Sequence, residues 1–289
     1  MYGAAAMATP ALLDDATESQ PYPYATPEQP KELSDRDLHF LSLYTGERDL
    51  DKLRAHVFAI WRSVKDTLWV YRCIQEFMFL QPRINMHPFY PQAKADMLAD
   101  NSKRILDIGC CFGQDTRCLM LDGIPQSSIS ATDITQQYWD FGKQLFMDAD
   151  KLHVETAWGS FTEPEYIQSG PLSPLKGKCA FAWAGAVLHV LTADDVSAFI
   201  AHVHAMLGPS GVFFGTCVGQ DPPGEWADTP TGKGKRYLHR EDTLEALFKQ
   251  AGYSKVSISR DTDLGILERQ EEISTFGKHK IILIFAATK

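Results

Sequence analysis

Residues 104–115, RILDIGCCFGQD, join an apolar run to a helical one through a turn with glycines at 109 and 113. A ligand approaching a strand-to-helix turn meets free backbone N–H groups and the positive end of the helix. Glycine is needed where the chain turns sharply and where a ligand touches backbone. Spacing narrows the choice of ligand. A dinucleotide loop needs G-x-G-x-x-G, but here Cys111 takes the middle glycine's place and Gln114 the last one's. The pattern that remains, G-x-C-x-G, requires no phosphate over the turn. Asp133 stands twenty residues beyond Gly113, at the end of the next apolar run, SISATD. A carboxylate there can accept both hydroxyls of a ribose; its other reading is a cap for the helix that opens near Thr135. Asp107 either orients the loop or reaches the ligand. Cys110 and Cys111 cannot chelate a metal from within one turn, so no metal is expected, and their small size allows close backbone approach.

G-x-C-x-G is the shorter spacing of loops that bind S-adenosylmethionine, whose methionine portion would lie over the turn. On this reading Asp107, Gly109, Cys110, Gly113 and Gln114 cradle the cofactor, and Asp133, with Ile134 beside it, holds the ribose. The third strand ends in TAWGSFTE, where Ser160 and Phe161 take the places of a polar adenine contact and an apolar ring neighbour. Ala184, in the fourth strand, completes the set. Methyl transfer is an in-line displacement, and holding acceptor and methyl group at near-attack distance can supply roughly 7–11 kcal/mol. A carboxylate acceptor arrives ionised, whereas deprotonating a phenol at pH 7 costs roughly 4 kcal/mol unless a base assists. His189, in AGAVLHVL after the fourth strand, is the catalytic candidate, as base or as a donor orienting the acceptor; helix packing is its alternative. His239, in RYLHRED, is assigned to the substrate side or to helix capping. Arg83, in QPRI, can fix an acceptor carboxylate. Tyr44 and Phe79, with Trp61, Trp69, Tyr71, Phe77 and Phe89, supply either an apolar substrate wall or plain core, and Trp226 is a candidate gate in the loop 218–240.

These side chains need a scaffold. Strand-like runs RILDIG, SISATD, HVETAW, CAFAWAG, GVFFGTC, KVSISR and IILIFAATK alternate with helical segments near 113–122, 134–147, 192–207 and 241–251. The alternation predicts an α/β, Rossmann-like fold: a mostly parallel seven-stranded sheet with helices on both faces. No crossover helix separates the last two runs, so the last strand is expected to be antiparallel. Upstream the pattern is helical: Ser34 caps a first helix, and a long one over 49–80 is stopped by Pro82. The expected organisation is a disordered or draped tail over 1–32, a helical cap over 33–100 and the cofactor-binding core over 101–289. At 289 residues and 44% apolar composition the chain can bury a full core, while its net charge of −9 argues against a nucleic-acid surface. The run CAFAWAGAVLHVL is too short for a membrane span, and no basic residue precedes Lys31 as a secretory or transit signal would require. Six cysteines without a CxxC read as reduced thiols, and a cytoplasmic location is expected.

Together, ILDIGCCFGQD, DGIPQSSISATDI, FMFLQPRINMHPFY and GKGKRYLHREDTLEALFKQAGY resemble class I S-adenosylmethionine-dependent methyltransferases over about residues 100–289. More narrowly, they resemble the fungal secondary-metabolite methyltransferases of polyketide and meroterpenoid pathways. The resemblance implies S-adenosylmethionine as cofactor and O-methylation of a small, largely apolar metabolite at a carboxyl, phenolic or enolic oxygen. Some of those relatives esterify a carboxyl group of a prenylated aromatic intermediate. The expected partner is a small-molecule substrate, with neither nucleic acid nor membrane, and a homodimer is left open. The same fold also serves proteins that keep the cofactor but catalyse a cyclisation, and regulators; nothing in the cofactor loop is disabled, which favours transfer.

Overall fold

The structure, a computed structural model, describes residues 32–68, 70–229, 232, 234–261 and 280–289. The expected tail, apart from Glu32, lies outside the described residues, as do Trp69 and the polar stretch 262–279. Every side chain of β1 (Ile105–Ile108) is buried, Asp107 included, as befits a strand covered on both faces. The other strands are β2 (Ile129–Asp133), β3 (Glu155–Trp158), β4 (Cys179–Gly185), β5 (Leu207–Gln220), β6 (Gly224–Asp228), β7 (Lys235–Leu238), β8 (Lys255–Arg260) and β9 (Lys280–Thr288). Seven of them form one sheet in the order β3-β2-β1-β4-β5-β9-β8. All its pairings are parallel except the two made by β9, so the last strand is antiparallel, as expected. The order reverses between β1 and β4, and open α/β sheets bind ligands in the crevice outside the strand ends at such a point.

The helices are α1 (Asp35–Thr45), α2 (Leu50–Thr67), α3 (Arg72–Gln75), α4 (Tyr90–Ala99), α5 (Gln114–Leu121), α6 (Gln136–Leu145), α7 (Pro164–Gln168), α8 (Ala193–Met206) and α9 (Glu241–Gln250). Side chains on a strand alternate between faces, so neighbouring residues feed two separate cores. Ile105 and Phe214 join one cluster with the apolar residues of α1–α4, with Phe112 and with Trp139. Leu106 and Phe213 join the other, with Phe199, Val203 and Phe248.

Two expectations need correction. The single helix over 49–80 is interrupted: α2 closes where the Leu68 N–H donates to the Val64 carbonyl, and Phe77 then takes a left-handed backbone with φ of 55°. The apolar period continues through the break because Val64, Ile74, Phe77 and Leu80 all bury into one core, while the run TLWVY holds β-branched and aromatic residues that resist helix. The loop 218–240 contains the antiparallel pair β6 and β7. The Tyr237 N–H donates to the Leu191 carbonyl and ties this pair to the end of the core.

Buried polar struts join the N-terminal helices to the sheet. Asp115 accepts from the backbone N–H groups of Arg83 (2.6 Å) and Ile84 (2.9 Å) and from Trp183 Nε1 (3.0 Å). Arg117, fully buried at 0% exposure, meets Asp148 with two parallel bonds of 2.8 and 2.9 Å. Its remaining Nη1 donates to the carbonyls of Phe112 (2.7 Å) and Gly113 (3.0 Å), and its plane lies over the Phe146 ring at 4.3 Å. The Tyr44 hydroxyl, expected on the substrate side, instead donates to Asp148 Oδ2 at 2.8 Å from α1. Removing one member of a buried, hydrogen-bonded ion pair strands the other charge and costs about 3–5 kcal/mol. Arg117→Met should therefore lower the unfolding free energy by about that amount in urea titrations. A loss below about 1 kcal/mol, the scale of a surface pair, would show that the network anchors nothing.

Candidate active site

The turn after β1 is held from three directions. From below, the Thr132 carbonyl accepts the N–H groups of Gly109 (2.8 Å) and Cys110 (3.1 Å), and Gly113 N–H closes back on the Cys110 carbonyl at 2.7 Å. Gly109 and Gly113 both have φ of +74°, a region that favours glycine, and neither has room for a side chain. A Cβ at 109 would run into Val187, and one at 113 would lie 2.6 Å from the Trp139 ring and 2.7 Å from the Arg117 guanidinium. Cys111, in the middle place, also has positive φ (49°), and its N–H donates to Asp133 Oδ2 at 2.8 Å. The other oxygen, Oδ1, accepts from Ile134 N–H at 2.7 Å. Asp133 is thus not the cap of α6; Thr135 is, through its hydroxyl. The carboxylate clasps the loop to the end of β2, the Thr135 backbone N–H adds a third donor, and of about four acceptor positions in all not every one is filled. Burial raises its pKa to about 6 against the pull of these N–H donors.

Asp107 accepts from Thr116 Oγ1 at 2.7 Å beneath the loop, where burial and the charge of Asp115 push its pKa upward. This contact fixes the first turn of α5. Gln114 Oε1 is buried with no hydrogen-bond partner among the described residues. Ile134, beside the clasp, is 47% exposed despite being apolar. Cys110 is buried and Cys111 half-buried, and loss of solvent holds both thiols protonated, their pKa values well above the usual range. Ser160 is half-buried at the end of β3, its hydroxyl 2.9 Å from that of Thr162.

Other expected site residues belong to the frame. Phe161 packs against Phe199 at 5.0 Å, and its carbonyl accepts from or faces the His202 ring nitrogen at 2.8 Å, on the side of α8. Ala184 is sealed in the sheet at 0% exposure, paired with Gly215. Phe79 stacks on Phe112 with centroids 4.4 Å apart, joining the helical segment to the loop from behind. In each case the position in sequence was near the site but the side chain turns into the core. Sequence reasoning missed Asp115, Arg117 and the turn after β4, where Ala186 takes φ of 65° and Val187 abuts Gly109. The small-residue run AGAV was the one available signal for that turn.

The residues expected on the acceptor side lie beyond that turn. His189 is half-buried in a short 3-10 turn, and its Nδ1 accepts from the Val218 N–H at 3.4 Å. Burial, then the positive charges of Arg236 and Arg83, lower its pKa to about 3. The ring is therefore neutral, and with Nδ1 accepting, its proton sits on Nε2. Arg83 is anchored by its own backbone to Asp115, while its guanidinium reaches Met78 Sδ at 3.5 Å. The Trp226 ring carries two cations, Arg236 at 5.0 Å and Lys280 at 4.2 Å. His239 is buried beside Tyr237, its Nδ1 3.2 Å from Thr243 Oγ1 in the first turn of α9, and burial lowers its pKa to about 4. Its carbonyl accepts from Gln220 N–H at 2.9 Å, so it also closes the loop onto β5.

No family model matches the chain. In sequence it is similar to the O-methyltransferase atr3 of Stereocaulon alpinum, 30% identical over 210 residues that make up 70% of this chain and 58% of that protein. It is also similar to the O-methyltransferase phiE of a fungal species, 30% identical over 195 residues, 65% of this chain and 63% of that protein. The chain thus spans about three fifths of the length of these relatives. In structure it is similar to phosphoethanolamine N-methyltransferase 2 of Haemonchus contortus in complex with phosphomonomethylethanolamine and S-adenosylhomocysteine. That match has a TM-score of 0.51 and 14% identity, and covers 79% of this chain and 60% of the other. The fold is the class I methyltransferase fold, and the sequence resemblance to fungal methyltransferases stands. Among the described residues no helix is long and apolar enough to cross a membrane.

The neutral state of His189 is open to direct measurement. Long-range 1H–15N NMR should show the Nε2–H tautomer, unchanged from pH 8 to pH 5, because its folded pKa lies below that window. A titration centred near 6.5, the value of an exposed imidazole, would overturn the assignment.

Proposed function

We propose that this chain is an S-adenosylmethionine-dependent O-methyltransferase acting on a small, largely apolar fungal metabolite in the cytoplasm, with the helices of 33–100 covering a cofactor-binding core over 101–289. The observation that carries this reading is the Asp133 clasp: a carboxylate whose Oδ2 takes the Cys111 N–H of the loop and whose Oδ1 takes the neighbouring Ile134 N–H, with acceptor capacity left over. The local chemistry fits the cofactor. Vicinal hydroxyls match Asp133, an ammonium group matches the orphaned Gln114 Oε1, and a flat base matches the exposed face of Ile134. Asp107 and Arg117 act from beneath, holding the path of the loop rather than touching ligand.

When bound, the cofactor supplies an electrophilic methyl group on a sulfonium. The chain's own task is to present an oxygen to it in a dry site. His189 is suited to donate its Nε2–H to that oxygen and orient it, but a neutral ring with a pKa near 3 is a poor proton acceptor. The acceptor must then arrive ionised. A carboxylic acid with pKa near 4 does so at pH 7, whereas a phenol near pKa 10 is about one part in a thousand anion. A carboxyl oxygen is accordingly the favoured acceptor, with Arg83 half-buried nearby adding to the positive field around it.

Isothermal titration of the purified chain should show binding of S-adenosylhomocysteine and none of NAD. Asp133→Ala should weaken that binding by about 1.5–3 kcal/mol, roughly 10- to 150-fold, the scale of hydrogen bonds to a charged group. Unchanged affinity in a variant that still melts cooperatively would remove Asp133 from the cofactor site. The pH dependence has a definite sign. Hydroxyl donors favour the ionised carboxylate, so affinity should hold above pH 6 and fall up to about tenfold per unit below it, as Asp133 takes up a proton. An affinity flat between pH 7 and pH 5 would speak against the clasp as the ribose acceptor.

A further inference from the structure

Lys280 opens β9 and is only 9% exposed, although lysine ordinarily carries its ammonium out to water. Its Nζ hydrogen-bonds Gln220 Oε1, the residue opposite it in the pairing of β5 with β9, and sits 4.2 Å from the centre of the Trp226 ring. Both partners are uncharged. No carboxylate among the described residues is within ion-pair distance of this ammonium, and the charge that bears on it is a second cation, Arg236, on the same indole. A buried ammonium without an anion is costly, and one carbonyl oxygen with one aromatic face offsets only part of that cost. Burial and Arg236 accordingly lower its pKa to about 8.

The location gives this charge a use. Gln220 is the last residue of β5, at the same end of the sheet as the cofactor loop. Val218, whose N–H holds His189, lies two residues earlier, about 7 Å along the strand. The ammonium and the imidazole therefore flank one stretch of the acceptor side.

We propose that Lys280, framed by Gln220 and Trp226, is the positioning residue that grips the anionic group of the substrate and sets the preference for acids over neutral analogues. The assignment rests on the methyltransferase reading above. In that reaction one carboxylate oxygen forms the new O–CH3 bond, the S–CH3 bond breaks with its electron pair left on sulfur, and no proton moves. The anion becomes a neutral ester, so the grip is strong on substrate and weak on product, which favours release. Trp226, which the sequence suggested as a gate, becomes the wall that holds the ammonium in place.

The test uses 4-octylbenzoate and its uncharged twin, 4-octylbenzamide, titrated calorimetrically into the full chain with and without S-adenosylhomocysteine. Wild type should bind the benzoate at least tenfold more tightly than the benzamide. In Lys280→Met that ratio should collapse to within twofold, with benzamide and S-adenosylhomocysteine affinities and the melting temperature retained; Lys280→Arg should restore it. A ratio that survives in Lys280→Met, or a wild type without the preference (binding of neither probe included), overturns the proposal. Failure of wild type to bind S-adenosylhomocysteine would instead sink the cofactor reading, while the charge preference measured without it is judged on its own.

Discussion

A backbone that enters left-handed conformations three times in five residues does not hold itself in place. Gly109, Cys111 and Gly113 have φ values of 74°, 49° and 74°, and the path they trace exists because groups outside the loop fix it. Arg117 takes the carbonyls of Phe112 and Gly113, Asp133 takes the N–H of Cys111, and Thr132 takes those of Gly109 and Cys110. Buried ion pairs often add little net stability relative to a well-packed apolar core, so the value of Arg117 and Asp148 lies in the geometry they enforce. Arg117 commits all three of its nitrogens to fixed partners, which holds the loop to one path.

The same economy explains why the helices upstream are joined to the core by carboxylates. Asp115 collects two backbone N–H groups from the turn at Arg83 and Ile84, and Asp148 collects the hydroxyl of Tyr44. Asp115 adjoins the loop and Asp148 reaches it through Arg117, so movement of the N-terminal segment would be felt at the turn after β1. Phe79 on Phe112 adds an apolar contact at the same joint. The stretch bearing the expected substrate wall is therefore part of the device that shapes the loop.

What the sequence revealed follows from the range over which each signal acts. The strand–loop–helix order, the two glycines and the acid at the end of the second strand are local features, and each keeps its meaning whatever packs around it. The mostly parallel sheet followed from alternation, and the antiparallel last strand from a missing helix. Asp115 and Arg117 were hidden because charged residues in the first turn of a helix ordinarily face water, and their partners lie 32 and 31 residues away. Tyr44, Phe79 and Phe161 were misplaced for a related reason. An aromatic near a site reads the same whether it points into the cleft or into the core, and only the packing of a second element decides.

The two halves of the site differ in sign. Acids cluster at the loop, where Asp107, Asp115 and Asp133 are buried or nearly so, while Arg83, Arg236 and Lys280 stand on the proposed acceptor side in a chain whose net charge is −9. Local placement, not overall charge, sets the field that an incoming molecule meets in such a cleft. The cations have two linked effects. They favour an anion, and two of them, Arg236 and Arg83, add to the burial that chiefly lowers the pKa of His189 and makes it a poor base. A neutral acceptor would therefore find neither a charge partner nor a proton acceptor, whereas an acid needs only the first. The weak basicity of His189 follows first from its burial and then from two of the cations proposed to attract an ionised substrate, so an enzyme built for phenols would need that ring both better solvated and farther from those charges.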